Sequence, residues 1–175
     1  MIRVFLLGFM GSGKSTLGKQ LAARLDITFV DLDRYIENKT GRTISNIISS
    51  EGEDTFRKSE YSCLRESLQE DAGMVMATGG GTPIAEENLA FMKANGLTIY
   101  LKQNVDLIYS RLQHNIEQRP LIANYSGQVL KDRINELLDK RQRSYCKAHY
   151  TVEGLGRNRK DVESLLKIVR DYYSR

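Results

Sequence analysis

The strongest constraint on this chain lies near its start, where the apolar run Val4, Phe5, Leu6, Leu7 stops at Gly8 and continues as Phe9, Met10, Gly11, Ser12, Gly13, Lys14, Ser15, Thr16. Gly8 and Gly13 have four residues between them and are followed by Lys14 and Ser15. That is the Walker A spacing, in which a glycine-rich turn lets backbone amides wrap a polyphosphate. Gly11 and Gly13 put no Cβ between backbone and ligand, Lys14 carries a point charge to the β- and γ-phosphates, and the Ser15 hydroxyl stands where a Mg²⁺ ligand is needed. Ser12 and Thr16 complete the cradle. The run before it reads as a buried strand, and Leu17, Leu21 and Leu25 after it as a helical stripe whose positive dipole end faces the same anion. A glycine turn before an ordinary helix is the plainer alternative. The four fixed positions between a strand and a helix favour a bound nucleoside triphosphate.

The remaining chain is of a size to match. At 175 residues there is room for one well-buried domain spanning 1–175 and not for two. With 41% apolar and 27% charged residues, neither disorder nor a membrane protein is expected. The net charge of +4 comes from basic residues scattered between Arg3 and Arg175, so nucleic-acid binding is not needed to explain it. Cys63 and Cys146 lack CxxC spacing and are too few for a disulfide framework; reduced thiols in the cytoplasm are the expectation. A signal segment is not expected before the strand-like start at Ile2, no apolar run reaches membrane length, and His114 and His149 stand apart from both cysteines, so zinc is not expected either.

Along the chain, the helix after the cradle leads to a β-favouring run from Ile27 through Thr28, Phe29 and Val30 to Asp31, Leu32 and Asp33. Strand, loop, helix, strand favours a parallel sheet with helices on both faces. Residues 33–70 then read as a helical insertion, with short helices at Tyr35 and Ile36, at Ile44, Ile47 and Ile48, and from Phe56 to Leu68, punctuated by Gly41 and Gly52. Such an insertion is a usual place for a substrate pocket. A strand begins at Met74 and ends in Gly79, Gly80 and Gly81; Pro83 opens a helix; a further strand spans 97–101; and Asn104 caps the helix after it. Periodicity disappears over 113–127, read as a mobile loop, and returns at Leu130, Ile134, Leu137 and Leu138. A short strand at 149–152 and an amphipathic helix on Val162, Leu165, Leu166 and Val169 close the chain.

In an open parallel sheet ligands collect at the carboxyl ends of the strands. The cradle, the pair Asp31 and Asp33, and the glycines 79–81 all fall there. Alternation along an extended segment would turn Asp31 and Asp33 to one side. Asp31 is then a Mg²⁺ contact or a helix cap. Asp33 is either the carboxylate that orients an acceptor hydroxyl and takes its proton, or the cap of the helix from Arg34. The three glycines are a flexible turn or a set of amides for an anion. Arg57 has Glu60 three residues along the same helix, as a solvated ion pair or as a guanidinium held ready for a substrate carboxylate. Arg141 reads as a surface arginine, and Arg119 as a phosphate clamp or a loop charge.

Taken together, the stretch from Gly8 to Thr16, Asp31 with Asp33, Phe56 with Arg57, Gly79 to Gly81, Arg119 with Pro120 and Leu121, and Arg141 with Tyr145 resemble the shikimate kinase family, in the family's order and over nearly the whole chain. The resemblance implies an α/β fold of three layers, α/β/α, with a P-loop, a five-stranded parallel sheet, the helical substrate-binding insertion and a lid at about 113–127. It implies transfer of the ATP γ-phosphoryl to the 3-hydroxyl of shikimate, with Mg²⁺, on the route to chorismate and the aromatic amino acids. Asp33, Arg57, Gly79, Gly80, Gly81 and Arg141 would hold shikimate, with Asp33 as the base. Lys14 and Arg119 would act on the phosphates, Ser15 on the metal, and Arg111 and Arg157 near the adenine. A monomer without nucleic-acid or membrane partners is expected. Another small-molecule kinase of this fold, for gluconate or a nucleotide, is the nearest rival, and a nucleotide-switched regulatory module a more distant one.

Overall fold

In the computed structural model, which describes residues 1–69, 73–113, 121–156 and 158–174, five strands alternate with helices. The order is β1 (Arg3–Leu7), α1 (Lys14–Leu25), β2 (Thr28–Asp31), α2 (Leu32–Thr40), α3 (Ile44–Glu51), α4 (Glu53–Glu66), β3 (Met74–Ala77), a 3-10 turn (Thr82–Ile84) and α5 (Glu86–Asn95), then β4 (Leu97–Lys102), α6 (Val105–Leu112), α7 (Gly127–Tyr145), β5 (Tyr150–Glu153) and α8 (Arg159–Tyr173). The strands form one sheet in the order β2-β3-β1-β4-β5, every pair parallel.

Val4, Phe5, Leu6 and Leu7 of β1 are all wholly buried, and their alternation builds two separate cores. Val4 and Leu6 meet Leu17 and Leu21 of α1 and Leu165 and Val169 of α8 on one face. Phe5 and Leu7 meet Leu32, Ile36, Phe56 and Leu64 from α2 and α4 on the other. A central parallel strand covered on both faces reads as a continuous apolar run for this reason. Removing Leu6 down to Ala would cost about 2–5 kcal/mol through lost transfer and the cavity left behind. A third cluster gathers Phe9, Tyr100, Ile108, Ile134 and Tyr145 and packs α6 and α7 beside the first loop.

The chain leaves β1 toward β2 on one side of the sheet and later reaches β4 on the other. The loops therefore part at the carboxyl end of β1, where a crevice opens. α1 and α8 cover one face and the helices of the insertion the other, giving the three layers.

Three expectations are corrected. Residues 27–33 are not one extended run: β2 stops at Asp31 and α2 starts at Leu32, because the Asp31 carboxylate accepts from the Arg34 N–H at 3.4 Å and caps the helix. Asp31 and Asp33 are thus not related by strand alternation, and the cap is Asp31, not Asp33. Pro83 lies in the 3-10 turn, with α5 starting only at Glu86. The aperiodic stretch ends earlier than 127: Ile122 is fully buried, and Gly127 is already the first residue of α7. Residues 114–120 of that stretch lie outside the described residues. Cys63 and Cys146 are both free. Among the described residues no helix is long and apolar enough to cross a membrane.

Candidate active site

The cradle forms because α1 begins without a side-chain cap. Gly13, at φ 104°, occupies the N-cap in a left-handed conformation that a side chain would strain. The first N–H groups of α1 therefore remain available to an anion. Lys14 folds back over the loop and donates from Nζ to the carbonyls of Gly8 at 2.8 Å and Phe9 at 2.9 Å, which spans the space between β1 and α1. Ser12 is buried beneath, whereas Ser15 and Thr16 are exposed on the first turn. The Ser15 hydroxyl donates to Asp31 Oδ2 at 2.7 Å. A hydroxyl and a carboxylate at that separation, both facing solvent beside the cradle, can share a hard divalent cation that takes its other ligands from phosphate and water. Arg111 braces the loop from α6, donating to the Gly11 carbonyl at 2.9 Å and to Leu155 at 3.4 Å.

Next to the cradle is a cavity of about 610 Å³ lined by Asp33, Arg57, Gly79, Gly80, Gly81 and Arg141. Those six residues come from α2, α4, the loop after β3, and α7. Ile44, Ile48 and Phe56 give it an apolar wall, and Met10 and Leu121 also reach it. Arg57 is held from two sides, Nη1 donating to Glu60 Oε2 and Nη2 to Glu53 Oε1, each at 2.9 Å. Glu60 is 1% exposed, and its Oε1 accepts from the Thr82 hydroxyl at 2.7 Å. A buried carboxylate satisfied in this way fixes its arginine in one rotamer.

Two of the three glycines, Gly79 and Gly81, leave no free space for a side chain. A methyl group at Gly81 would lie 2.5 Å from Arg57 Nη2, and one at Gly79 would lie 2.8 Å from Asp33 Oδ1 and 3.1 Å from Glu60 Oε1. Arg141 approaches Gly80 from α7, with its guanidinium 5.6 Å from the Phe9 ring centroid.

Burial pushes the Asp33 carboxyl up to about 6, with the charges of Asp31, Glu60 and Glu37 acting in the same direction and Lys14 opposing them. It remains ionised at neutral pH and is a stronger proton acceptor than an exposed aspartate.

Two groups expected from the sequence are thus assembled, the cradle with Lys14, Ser15 and Asp31, and the cavity with both arginines, the glycine turn and Asp33. Arg119 and Arg157 fall outside the described residues. Arg111 is placed against backbone carbonyls of the cradle and of the segment after β5. Thr82 was not anticipated, and neither was the hydroxyl of Tyr145, which donates to the Gly80 carbonyl. Both contacts join residues far apart in the chain, and no local pattern marks them.

With the geometry in place, comparison with known proteins adds the following. A family model described as "Shikimate kinase" matches residues 10–170. Shikimate kinase of Parabacteroides distasonis is 41% identical over 153 residues, covering 87% of this chain and 88% of the relative. Among solved structures, shikimate kinase from Bacteroides thetaiotaomicron superposes with a TM-score of 0.87 at 35% identity, over 99% of both chains. The Acinetobacter baumannii shikimate kinase in complex with shikimate gives a TM-score of 0.84 at 36% identity, over 99% of this chain and 94% of that one.

Proposed function

The chain belongs to the shikimate kinase family, ATP:shikimate 3-phosphotransferases, and from that premise we propose which of its residues carry out the transfer. The chain acts as one catalytic unit, with the acceptor side built from residues 33–70 and a lid that ends before α7, over about 113–126. ATP lies with its phosphates in the cradle of Gly11, Ser12, Gly13, Lys14, Ser15 and Thr16, and Arg111 and Arg157 flank its base. Shikimate occupies the adjoining cavity, its carboxylate between Arg57 and Arg141 and its ring against Gly79, Gly80 and Gly81.

Asp33 orients the 3-hydroxyl and accepts its proton as the oxygen bonds to the γ-phosphorus and ADP departs in line. Lys14, with Arg119 from the lid, offsets charge on the transferring group. Mg²⁺, held by Ser15 and, directly or through water, by Asp31, would neutralise phosphate charge when bound. Closure of the lid excludes water and so favours transfer over hydrolysis of ATP. The enzyme acts as a monomer in the cytoplasm, a location with which its two free thiols accord.

The observation that carries this reading is the position of Asp33, under the influence of Lys14 in the cradle and against Gly79 in the cavity. A crystal structure with shikimate and a non-hydrolysable ATP analogue tests it. The ring carboxylate is expected between the two arginines and the 3-hydroxyl about 3 Å from Asp33. A carboxylate bound elsewhere, or an Asp33 several water diameters from the terminal phosphate, overturns it. A panel of acceptors assayed for ADP release adds a second check, because gluconate and nucleotides turned over as readily as shikimate would contradict the acceptor assignment.

A further inference from the structure

Hydrogen bonds continue from Glu60 away from the cavity into the body of the fold. Thr82, fully buried, donates its hydroxyl to Glu60 Oε1 at 2.7 Å, and its carbonyl accepts from Asn88 Nδ2 at 3.4 Å. Asn88, 2% exposed in the first turn of α5, accepts at Oδ1 from Arg65 Nη1 at 3.1 Å. Arg65 itself lies over the rings of Tyr61 and Phe91, 3.2 and 4.6 Å from their centroids, and donates to the Tyr61 carbonyl at 3.0 Å. The orientation of the Asn88 amide is unambiguous, since a guanidinium can only donate and a carbonyl can only accept.

We propose that Asn88, backed by Arg65, is a positioning residue for the part of the site that binds the substrate's carboxylate. It acts on Arg57 through Thr82 and Glu60. This rests on the reading of Arg57 as a ligand of that carboxylate.

The physical reason begins at Glu60. A carboxylate sealed from water depends on its protein donors, and for Glu60 these are Arg57 and the Thr82 hydroxyl. Where that hydroxyl stands is set by a single 3-10 turn, held by Thr82 N–H to Gly79 at 3.3 Å and Ile84 N–H to Gly81 at 3.0 Å. Such turns have poor hydrogen-bond geometry and need outside support. Asn88 supplies it from a helix anchored in the core by Leu89 and Met92. At the far end, the Arg57 guanidinium lies so close to Gly81 that a methyl group there would be 2.5 Å from Nη2, and misplacing a binding group by about 1 Å can cost on the order of a hundredfold. Asn88 touches no substrate; it decides where the guanidinium is.

The variant Asn88→Asp keeps an acceptor for Arg65 but sets a carboxylate oxygen against the Thr82 carbonyl, so that two acceptors face each other. The expected result is a KM for shikimate raised about tenfold, a KM for ATP within roughly twofold of the parent, and a double variant with Thr82→Val no worse than the poorer single one. A lowered Tm with both KM values unchanged would mean that Asn88 only packs, and the proposal fails; independent multiplication of the two effects also overturns it. Should Asn88→Asp not fold, Arg65→Met reads the same chain from its outer end. It should raise the shikimate KM about twofold or more and spare ATP, and an unchanged shikimate KM is again fatal. Arg57→Lys, measured alongside, separates the two levels: if it leaves the shikimate KM unchanged, the site reading itself is wrong. If it raises that KM while Asn88→Asp does not, only the positioning role is lost.

Discussion

The hydroxyl of Tyr145 donates to the carbonyl of Gly80 across 2.5 Å, joining the last residue of α7 to the glycine turn 65 residues earlier. Tyr145 is fully buried beside the ring of Tyr100, and burial pushes its phenol up to about 12, so the donor proton is present at neutral pH. Tyr145→Phe leaves a part-buried carbonyl without this partner and frees the turn that lies between Arg57 and Arg141. The expected cost is about 1–3 kcal/mol of stability, with a severalfold rise in the KM for shikimate and little change for ATP. Thermal unfolding and two-substrate kinetics measure both. A variant indistinguishable from the parent in both would show the contact to be without consequence.

Asp33→Asn should separate activity from stability in opposite directions. Turnover should fall by about 10² to 10⁴, the usual worth of a positioned acid or base, with nucleotide affinity near that of the parent. The fold should gain stability. Because the folded-state value, about 6, lies above the ordinary aspartate value of 3.8, the unfolded chain ionises first as pH rises, and the parent loses stability between these two values. The Tm difference between variant and parent should be near zero at pH 4 and reach roughly 6 to 12 °C above pH 7. Full turnover in the variant would remove Asp33 from the mechanism, and a lower Tm at neutral pH would contradict the burial argument.

The Ser15 and Asp31 pair gives a metal prediction that avoids the fold. Asp31→Asn keeps an amide oxygen able to cap α2 while removing the negative charge next to Ser15. The Mg²⁺ concentration for half-maximal rate should rise about 10- to 100-fold with Tm nearly unchanged. In the parent, removal of divalent cations with a chelator should abolish turnover reversibly. An Mg²⁺ requirement identical to that of the parent would restrict Asp31 to capping.

At the opposite end of β4, His149 accepts from the Thr98 N–H through Nδ1 at 3.2 Å, and burial together with Lys93 lowers its tendency to protonate. Here the sign is reversed relative to Asp33. The unfolded chain takes up the proton more readily, so stability is present above the ordinary histidine range and is lost as pH falls through it. His149→Asn should flatten the decline in Tm between about pH 7 and pH 5. An unchanged slope would show that the ring is not held in its neutral form.

Much of the site could be read from residue order because its parts are local. The cradle needs its glycines, lysine and serine within one turn, so their spacing alone identifies it. The same holds for Arg57 and Glu60, three residues apart on a helix. Asp31 and Asp33 show where local reading stops. The β-favouring residues before them invite an extended continuation, and only the capping of α2 by Asp31 shows that the helix starts between them. Pro83 misleads similarly, since a proline able to open an α-helix opens a 3-10 turn equally well. Nothing near Thr82, Asn88 or Tyr145 announces a partner, because their partners lie on other elements.

What the chain order determined unaided was the succession of strands and helices, the anion-binding loop and the residue types required for phosphoryl transfer, since each depends on neighbours within a few positions. What only the tertiary structure decided was the strand order β2-β3-β1-β4-β5 and the convergence of α2, α4, α7 and the loop after β3 on one cavity. Those follow from how the apolar faces of β1 are shared between two cores, and burial of that kind is a property of the whole packing that no single stretch encodes.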